Sequence, residues 1–293
     1  MTKENSHTTP PGRHRTHGFT LVVLAVLLFQ TVGHSQELYV FSEPASNMPA
    51  RALSLKYAGK FLNGAMSGKP EQRQKLYLSA GLSKKWMVRV GTTVSDMYSY
   101  PKTRWESVSL YAKYRFLSRD DVHRHFRAAT FFEASHSRNA LMYDEISLEG
   151  DQSGVTAGLV MTQLLHKLAV SGTFALTEVL NKKRWEAGHT DMHPYRSLQY
   201  SLSSGYLLFP RRYNSYSQTN LNLYLELLGA RNLDRKGGFV DLAPALQFIV
   251  NSNTKINAGY RFQLSGDVYR MAERSFLFSV ETTFLNALKK RSP

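Results

Sequence analysis

From Arg51 onward, apolar residues recur at every second position rather than every third or fourth, which is the period of a strand with two unlike faces. Leu53, Leu55, Tyr57 and Phe61 fall on one face, with Ser54, Lys56 and Lys60 on the other. Leu76, Leu78, Ala80 and Leu82 oppose Tyr77, Ser79 and Gly81, and Val88, Val90 and Val94 oppose Arg89, Gly91 and Ser95. Val108, Leu110, Ala112, Tyr114 and Phe116 stand against Ser109, Tyr111, Lys113 and Arg115, and Phe126, Ala128, Thr130 and Phe132 against Arg127 and Glu133. The same alternation holds through Val155–Met161, Leu168–Leu176 and Leu198–Leu208. It is cleanest in Leu221–Leu227, Ile256–Leu264 and the closing stretch Phe276, Phe278, Val280, Thr282 and Phe284.

This spacing predicts about twelve strands of 10 to 13 residues, where a tilted strand needs roughly 9 to 11 to cross a bilayer. Short links are expected near Ser83–Lys85, Leu117–Val122, His166–Lys167, Pro210–Asn214 and Asn251–Asn253, alternating with mostly longer ones such as Arg138–Gly150 and Asn181–His193. A transmembrane barrel with both chain ends on one side obeys that rule, and a soluble sandwich has no reason to. Charge is missing from the middle of nearly every apolar stripe, which favours a lipid-facing exterior. The fold class read from the pattern is therefore all-β, a single antiparallel up-and-down transmembrane barrel over residues 51–285. Pro244 interrupts one strand pattern and predicts a bulge there, because proline cannot donate to the ladder. Ile146–Leu148 is apolar enough to extend either a strand or a loop.

The first 35 residues read differently. Lys3, Arg13 and Arg15 precede an apolar run of 14 residues, Phe19–Val32, broken only by Thr20, Gln30 and Thr31. Gly33 and Ser35 then supply small residues for cleavage before Gln36, so residues 1–35 are expected to be an export signal peptide, too short to span a membrane as a helix. Residues 36–50, with Tyr39, Phe41, Pro44, Asn47, Met48 and Pro49, lack the alternation. They are expected either on the periplasmic side or tucked into the barrel mouth, where they would narrow any pore. Residues 286–293 form a short tail.

Composition sharpens this picture. The 293-residue chain has no cysteine, which removes disulfide scaffolds, thiolate metal sites and a lipoprotein anchor. Thirty-seven Lys and Arg face 22 Asp and Glu, and removing residues 1–35 leaves 34 against 21, so the mature chain stays basic. Anionic headgroups or surface glycans are the expected partners of such an exported surface. No phosphate-binding glycine loop or nucleotide-binding motif occurs, and neither a cofactor nor a nucleic-acid partner is expected. Sixteen Tyr and 16 Phe at strand spacing suit interfacial girdles.

With its export signal, hairpin meander and aromatic-bearing last strand, the chain resembles bacterial outer-membrane β-barrels over residues 51–285. The resemblance implies outer-membrane lipid as surroundings and the barrel-assembly machinery as a partner, engaging Phe276, Phe278 and Phe284. Such barrels often end at an aromatic residue, whereas nine residues follow Phe284 here.

Carrying the alternation inward places Lys56, Lys60, Arg89, Lys113, Arg115, Arg127 and Arg261 in the lumen against Glu133, Glu226, Asp241 and Glu281. Rings of Arg and Lys favour anions, so one reading is a small passive channel with mild anion preference for small anionic solutes, as in similar-sized barrels that resemble acidic-sugar porins. The other is a structural membrane protein whose lumen is closed by charge pairs and by Tyr77, Tyr111, Phe131 and Tyr224. Outer-membrane lipid hydrolases offer an alternative through Ser135, His136 and Ser137, but adjacent residues of a strand point to opposite faces, so no catalytic set is assigned. His189, Asp191 and His193 are weak candidates for a metal site or a transport-associated role.

Overall fold

The computed structural model describes residues 39–64, 68–97, 102–121, 124–180, 193–210 and 218–289. The export signal read in residues 1–35, together with His189 and Asp191, lies outside the described residues. The alternating segments form twelve strands: β1 (Leu53–Asn63), β2 (Pro70–Gly81), β3 (Trp86–Ser95), β4 (Arg104–Asp120), β5 (Arg124–Ser137) and β6 (Gly154–Leu165). They continue as β7 (Leu168–Val179), β8 (Arg196–Phe209), β9 (Asn220–Asn232), β10 (Gly238–Val250), β11 (Thr254–Gly266) and β12 (Arg274–Phe284). Each pairs antiparallel with its sequence neighbours, and β1 pairs with β12 to close the barrel. Closure leaves no free sheet edge, the condition for a sheet to sit in hydrocarbon.

Exposure along the strands is inverted relative to a soluble protein. Leu78, Leu110, Phe132, Phe174, Leu176 and Leu202 stand exposed on the outside, Leu176 at 57%. The polar positions between them, among them Ser79, Thr162, Ser203, Gln247 and Ser279, are buried. This is the pattern of a lipid-facing wall around a polar interior, and it excludes the sandwich, whose apolar faces would meet each other.

Leu53 pairs with both Phe284 and Ala80, so chain entry, chain exit and the 82–85 turn share one rim, here the turn rim. In the 251–253 turn, Asn251 and Ser252 take left-handed φ values of 50° and 56°, a conformation that asparagine tolerates better than most residues. The opposite, loop rim carries the 138–153 connection. Three details correct the sequence reading. β8 ends at Phe209 and β9 begins only at Asn220, later than a link ending at Asn214 requires. Strand β4 continues past Leu117 to Asp120, because a bulge between Arg115 and Leu117 resets its pairing with β5. Pro244 sits in continuous register with Leu225 on β9; the bulge against β11 lies upstream at Val240 and Asp241.

Candidate functional site

Among the described residues, two segments outside the strands occupy the lumen. The first is residues 39–50. Glu226, wholly buried on β9, accepts the backbone amides of Val40 and Phe41 on Oε1 at 2.9 Å each and that of Ser42 on Oε2 at 2.8 Å. Ser203 on β8 donates to the same carboxylate at 3.1 Å, so no oxygen of this buried acid is left bare. Glu43 forms an ion pair with Arg89 on β3 and lies 3.3 Å from Lys113 Nζ on β4. Lys113 also donates to the carbonyls of Pro44 and Ser46 at 2.9 Å each. Arg127 donates to Ser46 Oγ at 2.8 Å, and Asn47 brings the segment back to the turn rim by donating to Lys85 O at 2.8 Å. Burial works to raise the Glu43 carboxyl, and the charges of Arg89, Lys113 and Lys56 overcome it, holding the acid well below the ordinary carboxylate range.

The second segment is the 138–153 loop, which folds inward at the loop rim. Its backbone is tied at Asp144, whose amide donates to Tyr269 O at 2.9 Å, and at Ile146, whose carbonyl accepts Gln199 at 3.2 Å. Three of its acids meet cations, on strands β2 and β11 and in the 267–273 connection. Glu145 takes Arg270 on both oxygens at 3.0 Å and lies 3.4 Å from Arg261; Glu149 pairs with Lys75; and Asp151 accepts Arg73 at 2.6 Å. Arg73 is itself held by Glu106 at 2.7 Å and 3.2 Å, with both side chains buried. Gly150, at φ 108°, lies against this pair: a Cβ there would stand 2.8 Å from Glu106 Oε2, so only glycine suits the position. Burial favours the neutral form of Glu145 and Glu149, but Arg270 and Arg261 on the first and Lys75 and Lys60 on the second depress both.

Between the two segments lies a cavity of about 330 Å³, bounded by residues 40–43 on one side and 145–149 on the other. Lys56, Lys60, Lys75, Arg89, Arg261 and Glu133 line its wall. Arg89 lies over the rings of Tyr111 and Tyr77 at 4.3 Å and 5.0 Å, and Tyr111 stacks on Phe131 at 5.7 Å. Lys56 and Lys60 meet no carboxylate at ion-pairing distance among the described residues.

The remaining sequence candidates fall elsewhere. Arg115 is at the turn rim, where it donates to Lys84 O at 2.8 Å, away from the cavity. Asp241 binds Arg261 at 2.5 Å and Arg270 at 2.7 Å. Glu281 accepts Ser54 at 2.6 Å and lies 3.6 Å from Lys255. Phe276 and Phe278 are exposed on the outer face. His136 is exposed while Ser137 is buried and donates to Gly150 O at 2.7 Å, so the two are not brought together. His193 lies 3.3 Å from Asp144.

Sequence reasoning missed Arg73, Lys75 and Glu106. Extending the β2 alternation back from Tyr77 would have found the first two. Glu106 was hidden by a bulge: Thr93 pairs with Ser107 and Val94 with Trp105, so Glu106 has no residue opposite it and is buried alongside Ser107.

No protein-family model and no curated protein matches the chain. Among solved structures it is similar to the COG4313 outer membrane channel from Pseudomonas putida F1, at 11% identity and a TM-score of 0.57, covering 84% of this chain and 100% of that one. Weaker likenesses, each with a TM-score of 0.48, are to a NanC porin at 14% identity, covering 78% and 98%, and a KdgM porin at 10%, covering 79% and 99%. What the COG4313 channel shares with the geometry above is the fold: the chain is a closed, twelve-stranded antiparallel β-barrel of the bacterial outer-membrane type.

Proposed function

We propose that the protein is a passive outer-membrane channel with a mild preference for small anions, here in a closed arrangement. One observation carries this reading. Three of the four acids that line the cavity, Glu43, Glu145 and Glu149, ride on the two segments inside the lumen, whereas all five basic residues belong to strands. If those segments swing out, they take their carboxylates with them. Lys56, Lys60, Lys75, Arg89 and Arg261 then face Glu133 alone, and a basic wall favours anions. In this reading the turn rim faces the periplasm, the exterior meets outer-membrane lipid, and Phe276, Phe278 and Phe284 engage the barrel-assembly machinery. The exposed His136 and its separation from Ser137 lend no support to the hydrolase alternative.

The test is reconstitution in planar bilayers under a potassium chloride gradient, with liposome swelling in graded anionic and neutral solutes. A reversal potential favouring chloride and faster entry of anionic solutes are expected. Equal exclusion of every solute would leave the barrel a structural membrane protein and reject the channel.

A further inference from the structure

We infer that Glu145 and Glu149 hold the place of an external ligand: the cavity is a binding site for solutes carrying two anionic groups, and the loop tip occupies it as an internal substitute. The inference rests on the channel reading and specifies its solute class. The sequence Glu145-Ile146-Ser147-Leu148-Glu149 presents two carboxylates, four residues apart, to a cluster of cations on β2, β11 and the 267–273 connection. Glu145 engages Arg270 and Arg261, and Glu149 engages Lys75. Lys60 borders the same cavity with no ion-pair partner among the described residues, so the wall holds more positive charge than the tip neutralises.

The rest of the loop is anchored separately. Asp151 is fixed to Arg73, Asn139 donates to Glu106 at 2.9 Å, and Leu141 packs with Val179, a contact that Ile146 of the tip shares. Though deep in the barrel, Glu149 keeps 57% of its side chain accessible within the cavity against 15% for Glu145, which makes it the more easily displaced of the two acids. A dicarboxylate in the cavity finds Lys60 unpaired among the described residues and competes for Lys75 and Arg261. A monoanion satisfies only one of these positions and leaves the other acid seated. With the tip in place the cavity still holds about 330 Å³, room for a small solute to begin the exchange.

The experiment uses the mature full-length protein in detergent, titrated calorimetrically with succinate, glutarate and adipate, and with propionate as the single-charge control. Glu145→Gln/Glu149→Gln is expected to bind its best-fitting dicarboxylate about tenfold or more tighter than the unaltered protein, because the competing internal acids are gone. Propionate should gain far less. Should the double variant fail to fold, Glu149→Gln alone is expected to give the same preference at reduced size. Equal dicarboxylate affinity in variant and unaltered protein, or gains for propionate as large as for dicarboxylates, overturns the inference. Conductance of the same proteins separates the two ideas. Anion-selective currents without a dicarboxylate advantage sink the site and keep the channel, and tighter dicarboxylate binding without any current does the reverse.

Discussion

The Glu226 carboxylate lies 2.9 Å from the backbone nitrogen of Val40, joining the middle of β9 to the inserted N-terminal segment. Consecutive amides of residues 40–42 converge on this one acid, and no cation shares it among the described contacts. Successive N–H groups curved around an anion make a nest, here filled by the wall itself.

Glu226→Ala should therefore unseat the segment. Hydrogen bonds to charged groups contribute roughly 1.5–3 kcal/mol each, and removing the acid strands three amides in the lumen. Higher open probability in planar bilayers is expected, by about tenfold or more. An unchanged current record would mean that the segment does not gate the pore.

Arg73 and Glu106 are both buried, so breaking the pair leaves a charge without compensation. Arg73→Met is expected to cost about 3–5 kcal/mol, read as a lower Tm in detergent. Arg73→Met/Glu106→Gln/Asp151→Asn should recover most of that loss, since both acids that Arg73 holds are then neutral. If the triple variant melts no higher than the single one, the pair is not the source of the stability.

Gly81 lies where the inserted segment leaves the barrel. A Cβ at this position would stand 2.1 Å from Pro49 O, and a backbone atom cannot swing aside as a side-chain tip does. The Arg51 amide also donates to Gly81 O at 2.6 Å. Gly81→Ala should displace residues 49–51 and expose the segment to proteolysis from the turn rim, while the strand content seen by circular dichroism stays constant. Unchanged cleavage kinetics would contradict the tight crossing.

The 138–153 loop has a predictable acid response. Glu145 and Glu149 are depressed in the folded protein, by Arg270 and Arg261 and by Lys75 and Lys60 respectively, so their hold on the loop is complete above the ordinary carboxylate pKa of about 4.3. It is lost only as pH falls through their lowered values. Conductance should thus stay constant from about pH 7 to 5 and rise below about pH 4. Opening between pH 7 and 5 would assign the response to other groups, histidines first.

On the outer wall, Leu176→Arg places a charge amid the exposed apolar belt. A cost of about 2–4 kcal/mol is expected if that position lies near the bilayer midplane, measured as reduced folding yield into liposomes. A neutral effect would place Leu176 outside the hydrocarbon.

Alternation at every second position was enough to specify the strands, their two faces and the closed barrel, because a strand's side chains have no other period and each face meets one solvent. It also put Lys56, Lys60, Arg89 and Arg261 on the inner face and Tyr77, Tyr111 and Phe131 beside them. It located neither Glu106, which a bulge turned, nor the route of residues 39–50 and 138–153, which have no period to read. Their placement comes from pairings across many residues of sequence, Glu226 with Val40, Arg270 with Glu145, Arg73 with Asp151. Those partners become neighbours only once the barrel has closed and a buried charge must find its counterpart, so the wall could be read from local pattern and its filling required the tertiary structure.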